Sequence, residues 1–294
     1  MKALILALAL LATPAVAHQT AAPADDNANW VRPIKPYRVV GNIYYVGSEG
    51  LSAWLITSSE GHILLDGGPS AEGGKLIERS IQQLGFQLAD VKVLINTHAH
   101  YDHAGGFAQL KADIPQAKLW ASRLDEPALE AGHHIGGNSN GPTPFPAVKV
   151  DKAFGDGQKL KLGETTLFAH LTPGHSIGCT TWTTQVTEKG RPLNVTFNCS
   201  LSVAGNQLVG NKEHRNIVAD YRASFVAMRA IPTDVMLPSH EEQGDLLAKR
   251  QKQLRGDPNA FVDPTELGRL VDGYETRFNQ ELARQQAAAP GAKR

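Results

Sequence analysis

Thr97-His98-Ala99-His100-Tyr101-Asp102-His103 places three imidazoles and a carboxylate within six residues. Upstream lies the β-branched, apolar run Val91-Lys92-Val93-Leu94-Ile95-Asn96, and downstream come Ala104-Gly105-Gly106 and a helical pattern. This reads as a strand that ends, a tight loop of ligand-type side chains, and a helix start. Loops at the carboxyl ends of strands are where α/β proteins place their chemistry. His and Asp suit zinc or a related borderline metal.

Two further histidines stand at strand ends. His175 lies in Thr172-Pro173-Gly174-His175-Ser176, after a strand pattern ending at Leu171. His240 lies in Leu237-Pro238-Ser239-His240, after the strand pattern Asp234 to Leu237. If these strands finish on one edge, five histidines and Asp102 meet there, enough for two sites with three protein ligands each. Three ligands leave coordination open for water, which marks a catalytic rather than a structural zinc. His98 and His100 can pinch one metal, while Asp102 and His103 face a second. His62, His133, His134, His170 and His214 carry no such context and read as ordinary surface or core residues.

Outward from the motif, Tyr37–Val40, Ile43–Val46, Ala53–Thr57 and Ile63–Asp66 read as an antiparallel meander. Residues 71–84 have helical apolar spacing, and Phe107–Ile114 reads as a helix stopped by Pro115. Residues 117–121 read as a strand, with Ser122 capping a helix to about Glu130. The Gly/Pro/Asn-rich stretch 131–148 has no periodicity, and a loop this long is functional or disordered. Strand patterns return at 159–162, 165–171, 180–186 and 193–197. A helix covers 221–230, and a last helix starts near Asp263-Pro264. Ala287 to Arg294 reads as a frayed tail. Strands followed by helices occur twice, which predicts two half-units whose sheets pack face to face with helices outside.

The chain of 294 residues has 29 basic and 29 acidic side chains, so nothing favours nucleic acid or a membrane surface. Met1-Lys2, the apolar run Ala3–Ala12 and Ala15-Val16-Ala17 make a secretory signal peptide over residues 1–17. That run is too short for a bilayer core of ~30 Å. The expectation is a single exported, periplasmic domain over 18–294, with a mobile arm from His18 to Asn29. The two cysteines, Cys179 and Cys199, invite a disulfide in an oxidising compartment; a free thiol or a metal ligand is the alternative.

At His98-x-His100-x-Asp102-His103, and at Thr172-Pro173-Gly174-His175-Ser176 with Gly178 and Trp182, the chain resembles the metallo-beta-lactamase superfamily. The resemblance runs from about Tyr37 to His240 and on to the final helix. It implies an α/β fold, a four-layer αβ/βα sandwich with two metals on one edge between the sheets. Superfamily hydrolases of the glyoxalase type carry a metal-bridging Asp at a strand end. Here that stretch reads Asn198-Cys199-Ser200-Leu201-Ser202, with Cys199 at the Asp position. In this the chain resembles class B, subclass 3 metallo-beta-lactamases.

That resemblance implies two Zn2+, one on His98, His100 and His175, the other on Asp102, His103 and His240. It implies hydrolysis of the beta-lactam amide (penicillins, cephalosporins, carbapenems) by a hydroxide generated on the metal, with Asp102 catalytic, and hence antibiotic resistance. Ser200 and Ser202 match positions that contact the substrate carboxylate. Aligned on Leu201 and Ser202, the cysteine-ligand position of the other subclasses falls on Ser200. Alternation then turns Cys199 to the other face, towards a Cys179–Cys199 disulfide. The loop His133 to Pro146 and the arm around Trp30 are candidate walls of the substrate pocket. A monomer acting on a small molecule is expected. A hydrolase of the same fold acting on a lactone, ester or thioester is the alternative.

Overall fold

Strands that are apolar at every position need cover on both faces, and this chain has many of them. The computed structural model describes residues 27–139, 141 and 143–289. The first sheet holds β1 (Tyr37–Val40), β2 (Ile43–Tyr45), β3 (Trp54–Ser58), β4 (Gly61–Leu65), β5 (Val91–Ile95), β6 (Lys118–Ser122) and β7 (Lys152–Phe154), in chain order. The second holds β8 (Lys159–Leu162), β9 (Thr165–Leu171), β10 (Thr180–Glu188), β11 (Arg191–Asn198) and β12 (Val235–Pro238), ordered β12-β11-β10-β9-β8.

Alternation along each strand sorts its side chains into two cores. Trp54, Ile56, Ile63, Leu65, Val93 and Ile95 point inward and meet Leu167, Trp182, Val195, Phe197 and Leu237 of the other sheet. Leu55, Leu64, Leu94 and Leu119 point outward under α1 (Ala71–Gln83), α3 (Phe107–Asp113) and α4 (Glu126–Ala131). On the far side, Met236 packs under α5 (Ile217–Arg229) and α7 (Glu266–Ala288) through Tyr221, Phe225, Val271 and Phe278. The layers run α/β/β/α, the expected sandwich.

The pairings decide where the chemistry falls. β4, β5 and β6 run parallel, so Leu65, Ile95 and Ser122 end on one edge. In the second sheet Leu171 pairs with Thr180, Trp182 with Phe197, and Asn198 with Pro238. The end of β9, the start of β10 and the ends of β11 and β12 therefore share an edge. Trp182 spans the sheets beneath that edge, its Nε1 donating to the carbonyl of Asn96 at 3.0 Å.

Some local expectations are corrected. Ser122 is the last residue of β6, not a helix cap; its Oγ accepts from Asp125 N at 3.1 Å and α4 starts at Glu126. α5 begins at Ile217, earlier than its apolar spacing indicated, and the last helix starts at Glu266 and continues through Ala288. β7 and the helix α6 (Leu246–Leu254) were not read from the sequence. A single helical turn, α2 (Tyr101–Ala104), follows His100 directly. The expected signal peptide over residues 1–17 lies outside the described residues, as does the part of the expected arm before Asn27. No helix among the described residues is long and apolar enough to cross a membrane.

The cysteines form a Cys179–Cys199 disulfide with a Cα–Cα distance of 5.9 Å, and both residues are fully buried. Its loop, with a sequence separation of 20, corresponds to about 3 kcal/mol in the chain-entropy picture.

Candidate metal centre

The strand ends bring all six anticipated ligand residues together. His98 Nε2 lies 3.0 Å from His100 Nδ1 and 3.1 Å from His175 Nε2. His103 Nε2 lies 3.2 Å from Asp102 Oδ2 and 3.1 Å from His240 Nε2, and His240 Nε2 is 3.2 Å from Asp102 Oδ2. Two adjacent triads result, with His98 and His103 ring centroids 4.4 Å apart.

The outer nitrogens decide what these contacts mean. His98 Nδ1 meets Thr97 Oγ1 at 3.0 Å, whose hydroxyl is within reach of Asp66. His175 Nδ1 donates to the carbonyl of Ser202 at 2.7 Å. His103 Nδ1 donates to Asp66 Oδ2 at 3.2 Å. With Nδ1 carrying the hydrogen in each, the neutral rings of His98 and His175 turn bare Nε2 lone pairs towards each other, and His103 offers a third once its second proton has left. Lone pairs this close repel unless a cation sits among them. A tetrahedral shell with Zn–N bonds of 2.0–2.1 Å has edges of about 3.3–3.4 Å, close to the observed separations. The residues fit a divalent metal.

The electrostatics agree. Burial pushes His98 and His100 well below the ordinary imidazole range, and His175 down to about 4. These rings are neutral at pH 7, the form that binds metal. Burial opposes ionisation of Asp102, yet His103 and His240 hold its carboxyl well below the usual range. Burial likewise opposes charge on His103, but Asp102 and Asp66 raise it to about 10, so metal binding must displace its proton.

Asp66 is a functional residue the sequence reading missed. It sits at the end of β4 with φ 67°, fully buried, and accepts from Thr97 N at 2.7 Å, Thr97 Oγ1 and His103 Nδ1. A carboxylate between a strand and Gly67-Gly68 was the available signal. Beside it, a Cβ on Gly106 would lie 2.1 Å from the carbonyl oxygen of Gly67, so only glycine permits this approach.

Asp125 was missed as well. Its carboxylate accepts from Asn96 Nδ2 at 3.0 Å and from the backbone N–H groups of Ala99 and Gly178. It thereby ties the His98–His103 loop to the loop after His175. Burial raises its pKa to about 7 despite these donors. In the unfolded chain the value is about 3.9, so between pH 4 and 7 the folded state holds the extra proton. This group's contribution to stability therefore falls as pH rises from about 4 to 7, then levels. An Asp125→Asn variant lacks that fall. Urea unfolding of both zinc-loaded proteins should show their difference shifting in favour of Asn across this window. Parallel curves would refute the assignment.

The centre opens into a cleft of about 340 Å³. Ser200 and Ser202 line it; Ser200 Oγ donates to Ser202 Oγ at 3.1 Å, and Ser202 Oγ lies 3.2 Å from His175 Nδ1. Both anticipated walls are present: Trp30, 5.7 Å from His240 ring to ring, and Asn138, Gly141 and Thr143 of the long loop. His134, read as an ordinary residue, also lines the cleft, with its ring 4.3 Å from that of His100. His62, His170 and His214 stay apart, against Phe86, Thr183 and Asp220 respectively.

Comparison with known proteins gives a consistent picture. The sequence pattern of the metallo-beta-lactamase superfamily matches residues 47–240. The structure resembles that of BJP-1 of Bradyrhizobium japonicum, described as a subclass B3 metallo-beta-lactamase. The TM-score is 0.84 at 42% identity, covering 89% of this chain and 98% of that one. It also resembles the FEZ-1 metallo-beta-lactamase of Legionella gormanii, with a TM-score of 0.82 at 34% identity over 87% and 98% of the two chains. A more distant likeness, 20% identity over 75% of this chain and 74% of the relative, is to the mitochondrial persulfide dioxygenase ETHE1 of Mus musculus.

Proposed function

The chain belongs to the metallo-beta-lactamase superfamily, and from that membership we propose that it is a zinc-dependent beta-lactamase of the periplasm. The observation that carries this reading is the pair of adjacent triads at one sheet edge, His98/His100/His175 and Asp102/His103/His240, with a serine pair beside them. The solved neighbours named above support it, since both are described as metallo-beta-lactamases.

Two zinc ions, when bound, supply Lewis-acid polarisation of the lactam carbonyl and a water acidified to a pKa of about 7. The six residues hold them. Asp102 uses Oδ2 towards His103 and His240, which leaves Oδ1 to accept a proton and return it to the leaving nitrogen. Ser200 and Ser202 offer hydroxyl donors to the substrate carboxylate. Trp30 and the loop around His134 to Thr143 flank the cleft, exclude water and fix the ring. No bridging carboxylate comes from the end of β11: Cys199 is turned into the disulfide and Ser200 into the cleft. That substitution separates this site from the thioester hydrolases of the family. The disulfide fits an exported protein.

The test is hydrolysis of a chromogenic cephalosporin and a carbapenem by purified protein, with and without chelator, alongside zinc content. Chelator-sensitive turnover with two zinc ions per chain is expected. Zinc-loaded protein that hydrolyses neither overturns the reading, and turnover of a lactone or thioester instead would put the alternative in its place.

A further inference from the structure

The contacts order four imidazoles into a row. His240 meets His103 at 3.1 Å, His103 lies against His98 with ring centroids 4.4 Å apart, and His98 meets His175 at 3.1 Å. The two ends of this row carry opposite chemistry. At the His175 end stand the hydroxyls of Ser202 and Ser200. Ser202, Ala204 and Tyr274 also line an adjoining depression, where the Arg277 guanidinium stacks 4.4 Å from the Tyr274 ring centroid. The two hydroxyls at this end can donate to an anion, and the depression beyond them carries Glu281 as well as Arg277.

At the His240 end stands Glu242. Its side chain is 67% exposed, and Oε1 lies 3.6 Å from His240 Nδ1. That separation exceeds hydrogen-bond length, so the carboxylate is not consumed in orienting the ring. Trp30 lines the same cleft, 5.7 Å from His240 and 5.9 Å from Tyr101, ring to ring. Among the described residues that line the cleft, none is Lys or Arg. An exposed carboxylate in a cleft that two aromatic rings also line is a setting that favours an organic cation.

We infer that Glu242, Trp30 and Tyr101 form a subsite for a protonated amine on the acylamino side chain of the substrate. The inference rests on the proposed beta-lactamase activity. In that substrate class the ring carboxylate and the acylamino group lie at opposite ends of the bicyclic nucleus. A carboxylate held at Ser200 and Ser202 therefore sends the acylamino group towards Glu242. The subsite sets specificity and takes no part in bond cleavage.

Two penicillins that differ only by an α-ammonium on the benzyl side chain isolate the effect. They are compared at pH about 6.5, below the α-amino range of about 7.7–8.0. The aminobenzyl substrate should show the lower KM. Glu242→Gln should raise its KM roughly three- to tenfold relative to that of the uncharged substrate, with kcat for the pair moving together. Glu242→Lys should invert the preference, and its zinc content reports on the centre. An equal loss for both penicillins overturns the inference and makes Glu242 a positioning residue for His240; an unchanged KM ratio overturns it too. If neither penicillin is hydrolysed by the zinc-loaded wild type, it is the beta-lactamase reading that fails.

Discussion

Replacing Asp102 by alanine is expected to lower kcat for beta-lactam hydrolysis by about 10²–10⁴-fold and to remove one zinc equivalent per chain. Two roles are lost together. Asp102 Oδ2 is within 3.2 Å of both His103 Nε2 and His240 Nε2, so one triad is left with two ligands. The carboxylate that accepts and returns a proton also disappears. The cost to the fold is smaller, because the side chain lines the cleft at the sheet edge rather than packing in the apolar core between the sheets. Steady-state kinetics, metal analysis and circular dichroism on one preparation separate these effects. A variant with wild-type kcat would show that the triad has been assigned wrongly.

The second expectation concerns Asp66→Asn, behind His103 and not among the residues lining the cleft. Asn tolerates the left-handed backbone at φ 67°, so the fold should persist. The Thr97 N–H, 2.7 Å from Oδ1, fixes which side of the amide must accept. The amide NH2 then faces His103 Nδ1, which must become an acceptor. Its hydrogen moves to Nε2, the atom aimed at the metal. Swapping a carboxylate for an amide behind a histidine thus selects the wrong tautomer. Zinc affinity should fall by about 10–100-fold, read by competition with a chromophoric chelator, and the metal-free protein should also lose stability, since Asp66 helps hold the proton on buried His103. Unchanged affinity would mean that Asp66 does not set the His103 tautomer.

These two residues also mark how far the sequence could be read. That the six candidate ligands would meet was legible because each stands at or just after a strand end. Local composition carries that signal. The layered fold followed from strands followed by helices occurring twice along the chain. Asp66 and Asp125 were not legible, because a single carboxylate after a strand is commonplace. Their meaning depends on partners 31 and 29 residues away, at Thr97 and Asn96. His134 and Glu242 are specified only by where an aperiodic loop and a short 3-10 turn carry them. β7 has three residues, too few for alternation to show, and α6 presents little apolar face beyond Leu246.

The disulfide has a further consequence. It joins the residue before β10 to the residue after β11, and the opposite end of that hairpin is closed by the turn at Lys189-Gly190. The hairpin is therefore a covalent ring. An ordinary hairpin opens from its free end at little cost, and its terminal amides exchange through such fraying. A ring has no free end. The amides from Thr180 to Trp182 and at Phe197 can exchange only when the sheet itself comes apart. The loops bearing His175 and Ser200 leave from two points whose Cα atoms are held 5.9 Å apart. The floor of the cleft beneath the candidate ligands is thereby tied to the sheet as a whole, and cannot open strand by strand.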